Sequence, residues 1–528
     1  MPDAIVIGAG PNGLVAANLL ADRGWDVVVL EAASTPGGAV RSAELMEPGF
    51  VNDLFSAFYP LAVASPVVQR LRLEDHGLRW RRAPFALAHP APDGTCPVLS
   101  TDLDETAASL DAFAPGDGDA WRRLFARWQR LRAGLLDGLL TPIPPIGATA
   151  RLAWAARPEG LLRLARFALL PIRRMAREEF SSEPARRWLA GAAMHADLAP
   201  EDVLSGFFGW ILCSLGQDVG WPVPEGGAGQ LSAAMVARFE ANGGRVECDA
   251  AVERVVVRDG RAVGVRVRGE EVRATRAVLA DVDAPRLFLG LVGAEHLPAQ
   301  MYDDLRRFEW DHAVCKVDWN LEAPIPWDAA AARRAGTVHI TESLDALSET
   351  RSQIARGLVP ARPFVVLGQQ SMTDPTRMPA GAETAWAYVH LPREIRGDAA
   401  GEIALPFGTD AVEQLADRVQ QRVEELAPGF TSTIRRRHVL APHDLQRQDA
   451  NLVGGAIGGG TSQLFQQLVF RPTPAGGRAE TPIRNLYLAS SSAHPGGGVH
   501  GACGSNAARA AVLHDRVRRA LALGTLRT

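Results

Sequence analysis

The segment Gly8-Ala9-Gly10-Pro11-Asn12-Gly13 constrains this chain most, because of what flanks it. Ala4 to Gly8 reads as a buried strand, Gly13 to Arg23 as a helix ending at Gly24, and Asp26 to Glu31 as a second strand. Strand, glycine turn, helix and strand in that order open a parallel βαβ unit. Gly8 permits the tight turn, Gly10 lets the backbone approach a pyrophosphate at the helix N-terminus, and Gly13 with Ala17 lets helix and strand pack closely. Pro11 and Asn12 belong to the same turn. Glu31, followed by Ala32, ends the second strand twenty-three residues after Gly8. Its carboxylate can accept both ribose hydroxyl hydrogens and would repel a 2′-phosphate, so the unit predicts a site for the ADP part of FAD or NAD rather than NADP.

The residues just beyond Glu31 favour FAD. Gly37-Gly38 comes soon after it, and Arg41 three residues later. Paired glycines let the chain lie against phosphates, and an arginine offers them a fixed fork. Taken alone, the same residues make an ordinary glycine turn with a solvated arginine. Near the other end of the chain, Asn485 to Ala489 reads as a strand, followed by a glycine-rich turn holding Ser491, Gly497, Gly498 and Val499, and by a helix from near Gly504. Such a junction brings backbone N–H groups and a positive helix end to one point. A flavin ring lying there would meet that positive end near N1 and the C2 carbonyl, where negative charge gathers on reduction. The plainer alternative is a surface glycine loop.

Between these ends the pattern changes twice. From about Leu103 to Val223, Trp and Leu recur at helical spacing around a proline cluster, which predicts a helical insert. The nucleotide-fold pattern resumes near Gly226, with a helix over Gln230 to Ala241 and strands around Val252 to Val257 and Ala262 to Val267, joined at Asp259-Gly260. From about Leu297 to Gln448, strand-like runs (Ala313 to Trp319, Phe364 to Gln369, Thr384 to His390) precede a helix over Ala411 to Leu426, which predicts a sheet roofing a substrate cavity. The predicted organisation is α/β: a Rossmann-like FAD-binding domain built from 1–102, 224–296 and 451–528, and a mixed α+β substrate domain over 297–450 with the insert 103–223.

Composition sets limits. A net charge of −4 gives no global reason to expect a nucleic-acid partner. Five cysteines form no C-x-x-C pair, so neither a redox disulfide nor a metal site is spelled out, and a reducing compartment fits. No window reaches the roughly 18 apolar residues of a membrane span, and no charged leader precedes the first strand, so the chain reads as cytoplasmic.

With these motifs in view, Ile7-Gly8-Ala9-Gly10-Pro11-Asn12-Gly13, Gly37-Gly38-Ala39-Val40-Arg41 and His494-Pro495-Gly496-Gly497-Gly498-Val499 resemble the phytoene desaturase-like flavoproteins. Trp221 to Leu231 looks like that family's Pro-x-Gly-Gly-x-x-x-Leu signature. Asn451-Leu452-Val453-Gly454-Gly455 and Gln463-Leu464-Phe465 resemble the branch of the pyridine nucleotide-disulfide oxidoreductase domain-containing proteins. The resemblance implies a FAD domain of glutathione reductase and amine oxidase type, with Val252 on a strand whose backbone contacts the adenine. It also implies hydride abstraction from a hydrophobic substrate, with electrons passed to oxygen or a quinone. The run Ser490-Ser491-Ser492 departs from the family's glycine-bearing stretch, and the cysteine spacing contradicts the disulfide in the branch's name. A flavin amine oxidase is the rival enzyme, and a lipid or prenyl-binding protein without catalysis the rival of another class.

Lys316 is the single lysine among 56 basic residues. It shares a strand face with Val314 and Asp318, and reads either as a catalytic lysine near the flavin or as an exposed strand lysine paired with Asp318. His494, like His500, flanks the glycine loop and reads either as an acid–base residue or as a backbone-satisfied loop histidine. Arg151 to Arg177 holds seven arginines against Glu159, with Arg163, Arg166, Arg173, Arg174 and Arg177 near one helical face. A basic amphipathic helix suits a peripheral membrane contact, or packs as an insert by its leucines. Gly206 to Leu215 is too short to span a bilayer and reads as lining a cavity.

Overall fold

The computed structural model describes residues 1–157, 160–474 and 476–522. Two sheets organise them. The first has five strands in the order Leu486–Leu488, Ala277–Ala280, Ala4–Ile7, Val27–Leu30 and Arg245–Glu247, each neighbouring pair parallel. Ala4 stands opposite both Val27 and Ala277, and all four residues of Ala4–Ile7 are buried. A strand covered on both faces needs such an unbroken apolar run. The helix Pro11–Ala21 starts two residues before the predicted position, with proline at its first turn. A Cβ on Gly13 would stand 2.1 Å from the Gly8 carbonyl oxygen, so only glycine lets this helix lie so close to the strand. The predicted hairpin is Val252–Arg258 with Arg261–Val267, antiparallel, turning at Asp259 and Gly260 with φ of 50° and 68°.

The second sheet has seven strands in the order Ile434–Leu440, Ala313–Leu321, Glu383–Leu391, Val365–Gln369, Ala335–Ile340, Phe85–Ala88 and Val98–Ser100. Only Ala335–Ile340 with Phe85–Ala88 is parallel. The predicted first segment, 1–102, therefore divides: its start builds the dinucleotide sheet, while Phe85–Ala88 and Val98–Ser100 complete the substrate sheet. Period-two alternation gives that sheet two unlike faces. Cys315, Val317, Leu367, Ala387 and Val389 pack on one side with Leu415 and Val419 of the helix Thr409–Glu424. Lys316, Asp318, Trp386, Tyr388 and His390 alternate with them.

The described part of the insert holds seven helices, Leu103–Asp111, Asp117–Leu140, Ile146–Ala155, Leu161–Leu169, Ile172–Glu179, Glu183–His195 and Ser205–Val219, and ends where the short strand Val223–Pro224 begins. Its core is tryptophan-rich, with Trp121 edge-on to Trp188 at 4.9 Å and Trp128 edge-on to Trp210 at 5.9 Å. Arg151 to Arg177 is not one basic helix: six of its seven arginines divide among three helices, and Arg157 lies in a turn beyond the first. Pro171 cannot donate a backbone hydrogen bond, and the chain breaks before Ile172–Glu179. Arg166 and Arg174 both pair with Glu178, and Arg173 pairs with Glu201 and Asp345. Glu159 lies outside the described residues. Gly206 to Leu215 falls within Ser205–Val219. Among the described residues no helix is long and apolar enough to cross a membrane.

Candidate dinucleotide and substrate site

Two helix N-termini meet beside the parallel sheet. Pro11–Ala21 starts at the turn after Ala4–Ile7, and Ala502–Ala522 starts beyond the turn after Leu486–Leu488. A Cβ on Gly504 would stand 1.9 Å from the Asn12 carbonyl oxygen, and one on Gly501 2.7 Å from the Val15 side chain. Only glycine permits that contact. Both ends carry the positive pole of a helix dipole.

At the first end Glu31 is fixed from both sides. Ala9 N–H donates to its Oε2 at 2.7 Å and Ala33 N–H to its Oε1 at 2.8 Å, which leaves each oxygen a lone pair for a hydroxyl. Ala32 beside it is exposed. Ala250 N–H donates to the Glu31 carbonyl at 2.8 Å, which draws the chain leading to Val252 alongside. Gly37 N–H donates to the Ala9 carbonyl at 2.9 Å, and a Cβ on Gly38 would stand 3.1 Å from Gly10 Cα. The glycine pair thus lies on the fingerprint turn. Arg41 ties it down, donating from Nε to the Gly38 carbonyl and from Nη2 to the Gln448 carbonyl, both at 2.8 Å.

Sequence reasoning missed the acidic side of this end. Asp281 follows the strand Ala277–Ala280, and its Oδ2 accepts the Gly13 N–H at 2.8 Å. Burial pushes its carboxyl up to about 7; the Gly13 N–H opposes that rise, and the charges of Asp449 and Glu31 add to it. Asn451 joins the two segments, donating to the Asp281 carbonyl and accepting from the Asp283 N–H, both at 3.0 Å. A charged residue directly after an apolar strand of a parallel sheet is the signal that could have found Asp281.

At the second end a second glycine loop, Gly458-Gly459-Gly460, lies beneath the predicted one. A Cβ on Gly497 would stand 2.7 Å from the Gly458 carbonyl oxygen. Asp311 holds this lower loop, accepting from the N–H groups of Ile457 and Gly458 at 2.7 Å and of Gly460 at 3.0 Å. Arg471, fully buried, donates to the Ser491 carbonyl at 2.8 Å and to the carbonyls of Gly458 and Thr461 at 3.0 Å. Burial lowers its guanidinium to about 10. His494 sits behind the loop with neither ring nitrogen in hydrogen-bonding geometry, although the backbone of Thr141 is close enough to favour its charged form. Burial wins and lowers it to about 4, as it does His500, whose Nδ1 accepts the Ala502 N–H at 3.0 Å.

The residues fit a dinucleotide. Gly8, Gly10, Pro11, Gly38, Ser491, Gly497, Gly498 and Val499 all keep accessible surface, while Asn12 and Gly13 are buried beneath them. A Cβ on Gly10 would fill the cradle, 2.6 Å from Asp281 Oδ2.

The substrate sheet joins this cleft through the segment around Pro60, from Phe58 to Leu61. Leu61 reaches Gly498, where an added Cβ would stand 2.8 Å from its Cδ1, and the Phe58 ring lies 6.1 Å from Trp386, which stacks on Tyr388 at 5.9 Å. Lys316, opposite Tyr388 in register, is buried rather than exposed, because its ammonium pairs with Asp318 and donates to the Asp53 carbonyl at 3.0 Å. Asp53 is itself held by the buried Arg377 at 2.6 Å, which also binds Asp374 at 3.0 Å, and it accepts the Ala228 N–H at 2.7 Å. This charge cluster fixes the Gly226-Gly227-Ala228-Gly229 loop.

A parallel Rossmann-like sheet with a glycine-lined meeting of two helices, joined to a mixed sheet with an aromatic face, defines an α/β fold of flavoprotein type. The chain belongs to the flavin containing amine oxidoreductase family, which residues 12–513 match. It is 30% identical to the pyridine nucleotide-disulfide oxidoreductase domain-containing protein 2 of Rattus norvegicus, over 96% of this chain and 92% of that one. It is 25% identical to the lycopene-forming phytoene desaturase of Pseudescherichia vulneris, over 97% and 99%. The fold is similar to that of cyclohexylamine oxidase from Brevibacterium oxydans, with a TM-score of 0.59 at 16% identity over 98% of this chain and 99% of that one.

Proposed function

We propose that this protein is a FAD-dependent oxidoreductase that removes a hydride from a hydrophobic substrate and passes the electrons to oxygen or a quinone. The contact of Asn12 with Gly504 carries the reading, because it aims two glycine-lined helix ends into one cleft beside Glu31. Glu31 would hold the ribose, Gly10, Pro11 and Gly38 the pyrophosphate, the chain at Val252 the adenine, and Ser491 with Gly497 to Val499 the flavin. When bound, the flavin would supply the hydride acceptor. Arg471 and Asp311 keep the two glycine loops in place, and Phe58, Trp386 and Tyr388 shut water from the substrate side. Lys316 and His494 are the side chains proposed for proton handling: two of the lysine's N–H groups are engaged, and the neutral His494 has both nitrogens free of partners.

An amine oxidase is the second reading, favoured by the Trp386–Tyr388 stack on the face that carries Lys316. Purified protein should be yellow or become so with added FAD. A colourless protein that gains no flavin spectrum refutes both enzyme readings and leaves a lipid-binding protein. Anaerobic bleaching by polyenes or acyl lipids, and not by amines, supports the first over the second. Exposed Ile146, Trp154, Leu161 and Leu162, interspersed with Arg151, Arg157 and Arg163, further support a peripheral membrane contact for this cytoplasmic reading.

A further inference from the structure

Three histidines from separate segments form one hydrogen-bonded row. His89 follows the strand Phe85–Ala88, His339 lies in Ala335–Ile340, and His195 ends the helix Glu183–His195. His89 Nε2 is 2.8 Å from His339 Nδ1, and His339 Nε2 is 3.0 Å from His195 Nδ1. The helix makes room for the row at Gly191, where a Cβ would stand 2.4 Å from the His89 ring. Burial lowers the pKa of all three, that of His195 to about 3, so the row is neutral near pH 7 and each ring carries one N–H.

Two neutral arrangements satisfy both bonds, and they differ only at the ends. In one, His89 Nδ1 is protonated and His195 Nε2 is bare. In the other, His89 Nδ1 is bare and His195 Nε2 carries the hydrogen. His89 Nδ1 is buried without a partner, and the Arg187 guanidinium, 3.4 Å from the His89 carbonyl oxygen, adds positive charge on that side. A buried N–H with no acceptor, near a cation, costs more than an unused lone pair there. The second arrangement therefore holds, and His195 is a donor through Nε2.

That nitrogen has no protein partner among the described residues. His195 keeps accessible surface, whereas His89 and His339 keep none, so its end of the row is the one a ligand can reach. Its neighbours are aromatic: Trp221 meets its ring edge-on at 5.4 Å and Tyr388 at 6.1 Å, and the Tyr388–Trp386–Phe58 contacts lead back to Leu61 and Gly498.

We propose that His195 donates a hydrogen bond to an oxygen on an otherwise apolar substrate, with His339 and His89 as positioning residues that fix its tautomer. This rests on the reading of a flavoenzyme with a hydrophobic substrate and names the class: an apolar molecule bearing a carbonyl or hydroxyl oxygen. A bare hydrocarbon leaves the N–H unpaired, and an ammonium sets donor against donor.

The test is a titration of the purified full chain, with and without FAD, with decane, 2-decanone, 2-decanol and decylamine, read by tryptophan fluorescence. The ketone and alcohol should bind about tenfold more tightly than the hydrocarbon, the effect of one added hydrogen bond. His195→Phe should erase that preference without weakening decane, and His195→Gln, which retains a donor, should restore part of it. Nitrogen-15 spectra of histidine-labelled protein should show His195 protonated at Nε2. Equal binding of all four, amine binding tightest, a preference that survives in His195→Phe, or an Nδ1–H tautomer each overturns the proposal. Protein that takes up no flavin yet prefers the oxygenated ligands refutes the enzyme reading and leaves the role of His195 standing; yellow protein without the preference does the reverse.

Discussion

Asp281 Oδ2 accepts the Gly13 N–H at 2.8 Å, which places a carboxylate at the N-terminal end of the helix Pro11–Ala21, where the proposed pyrophosphate would also lie. Raised to about 7 by burial, with Asp449 and Glu31 adding to the rise, Asp281 is half-protonated near neutrality. An incoming pyrophosphate raises it further, so FAD uptake takes up a proton. Affinity for FAD should be greatest below pH 7 and fall as pH rises through about 7, by up to about tenfold per unit. Titrating flavin-free protein with FAD between pH 6 and 9 measures this, and Asp281→Asn should flatten the profile.

The same shift has a sign for stability. The folded value lies above that of an unfolded aspartate, about 3.9. The contribution of the protonated carboxyl is therefore complete below about pH 4 and is lost as pH rises through about 7. Flavin-free Asp281→Asn should then melt above the unaltered protein at pH 8 and no higher at pH 4.

Gly10 and Gly13 should respond differently to alanine. At Gly13 the new Cβ meets the Gly8 carbonyl oxygen at 2.1 Å, a backbone atom under a buried helix, so Gly13→Ala should destabilise the fold by about 2–4 kcal/mol. At Gly10 it meets the Asp281 carboxylate at 2.6 Å, the far end of a side chain that can move. Gly10→Ala should keep most of its stability and lose FAD. Melting curves beside flavin content separate the two.

The fingerprint and its acid were legible because Gly8, Gly10, Gly13 and Glu31 act through local spacing, which a single strand-turn-helix-strand reading captures. The far glycine loop was legible for the same reason. Asp281, Asp311 and Arg471 were not, since each meets its loop through tertiary contact from a distant segment. The row His89–His339–His195 was hidden likewise, although Thr337 and His339 alternating with apolar neighbours in Ala335–Ile340 mark the polar face of that strand. The division of the Arg151 to Arg177 stretch was legible for a local reason too: Pro171 interrupts any single basic helix, because the hydrogen-bond ladder stops there.

The apolar surface of the insert makes a distinct prediction. Leu162 is 88% exposed and Trp154 67%, with Arg157 over the Trp154 ring at 5.9 Å. The protein should float with vesicles containing phosphatidylglycerol and release as salt rises. Replacing both Leu161 and Leu162 with serine should weaken binding by about a hundredfold or more, given about 1.5–3 kcal/mol for each buried leucine. Unchanged flotation would remove the membrane contact from the proposal.

Lys316 and Asp318 allow structural and chemical roles to be told apart. Both are buried, their pairing is closed off from water, and burial raises the Asp318 carboxyl while the Lys316 ammonium opposes that rise. Lys316→Met strands a carboxylate in the core and should cost about 3–5 kcal/mol. Adding Asp318→Leu removes the stranded charge, and buried ion pairs replaced by apolar residues of similar volume often return to full stability. If Lys316 handles a proton or orients a reacting group with its remaining N–H, the double variant should melt like the unaltered protein and bind FAD, yet leave the rate of flavin bleaching by substrate depressed about a hundredfold or more. Recovery of that rate together with the melting temperature would make Lys316 a strut between two strands, and would leave His494 as the sole side chain of the pair to test for proton transfer.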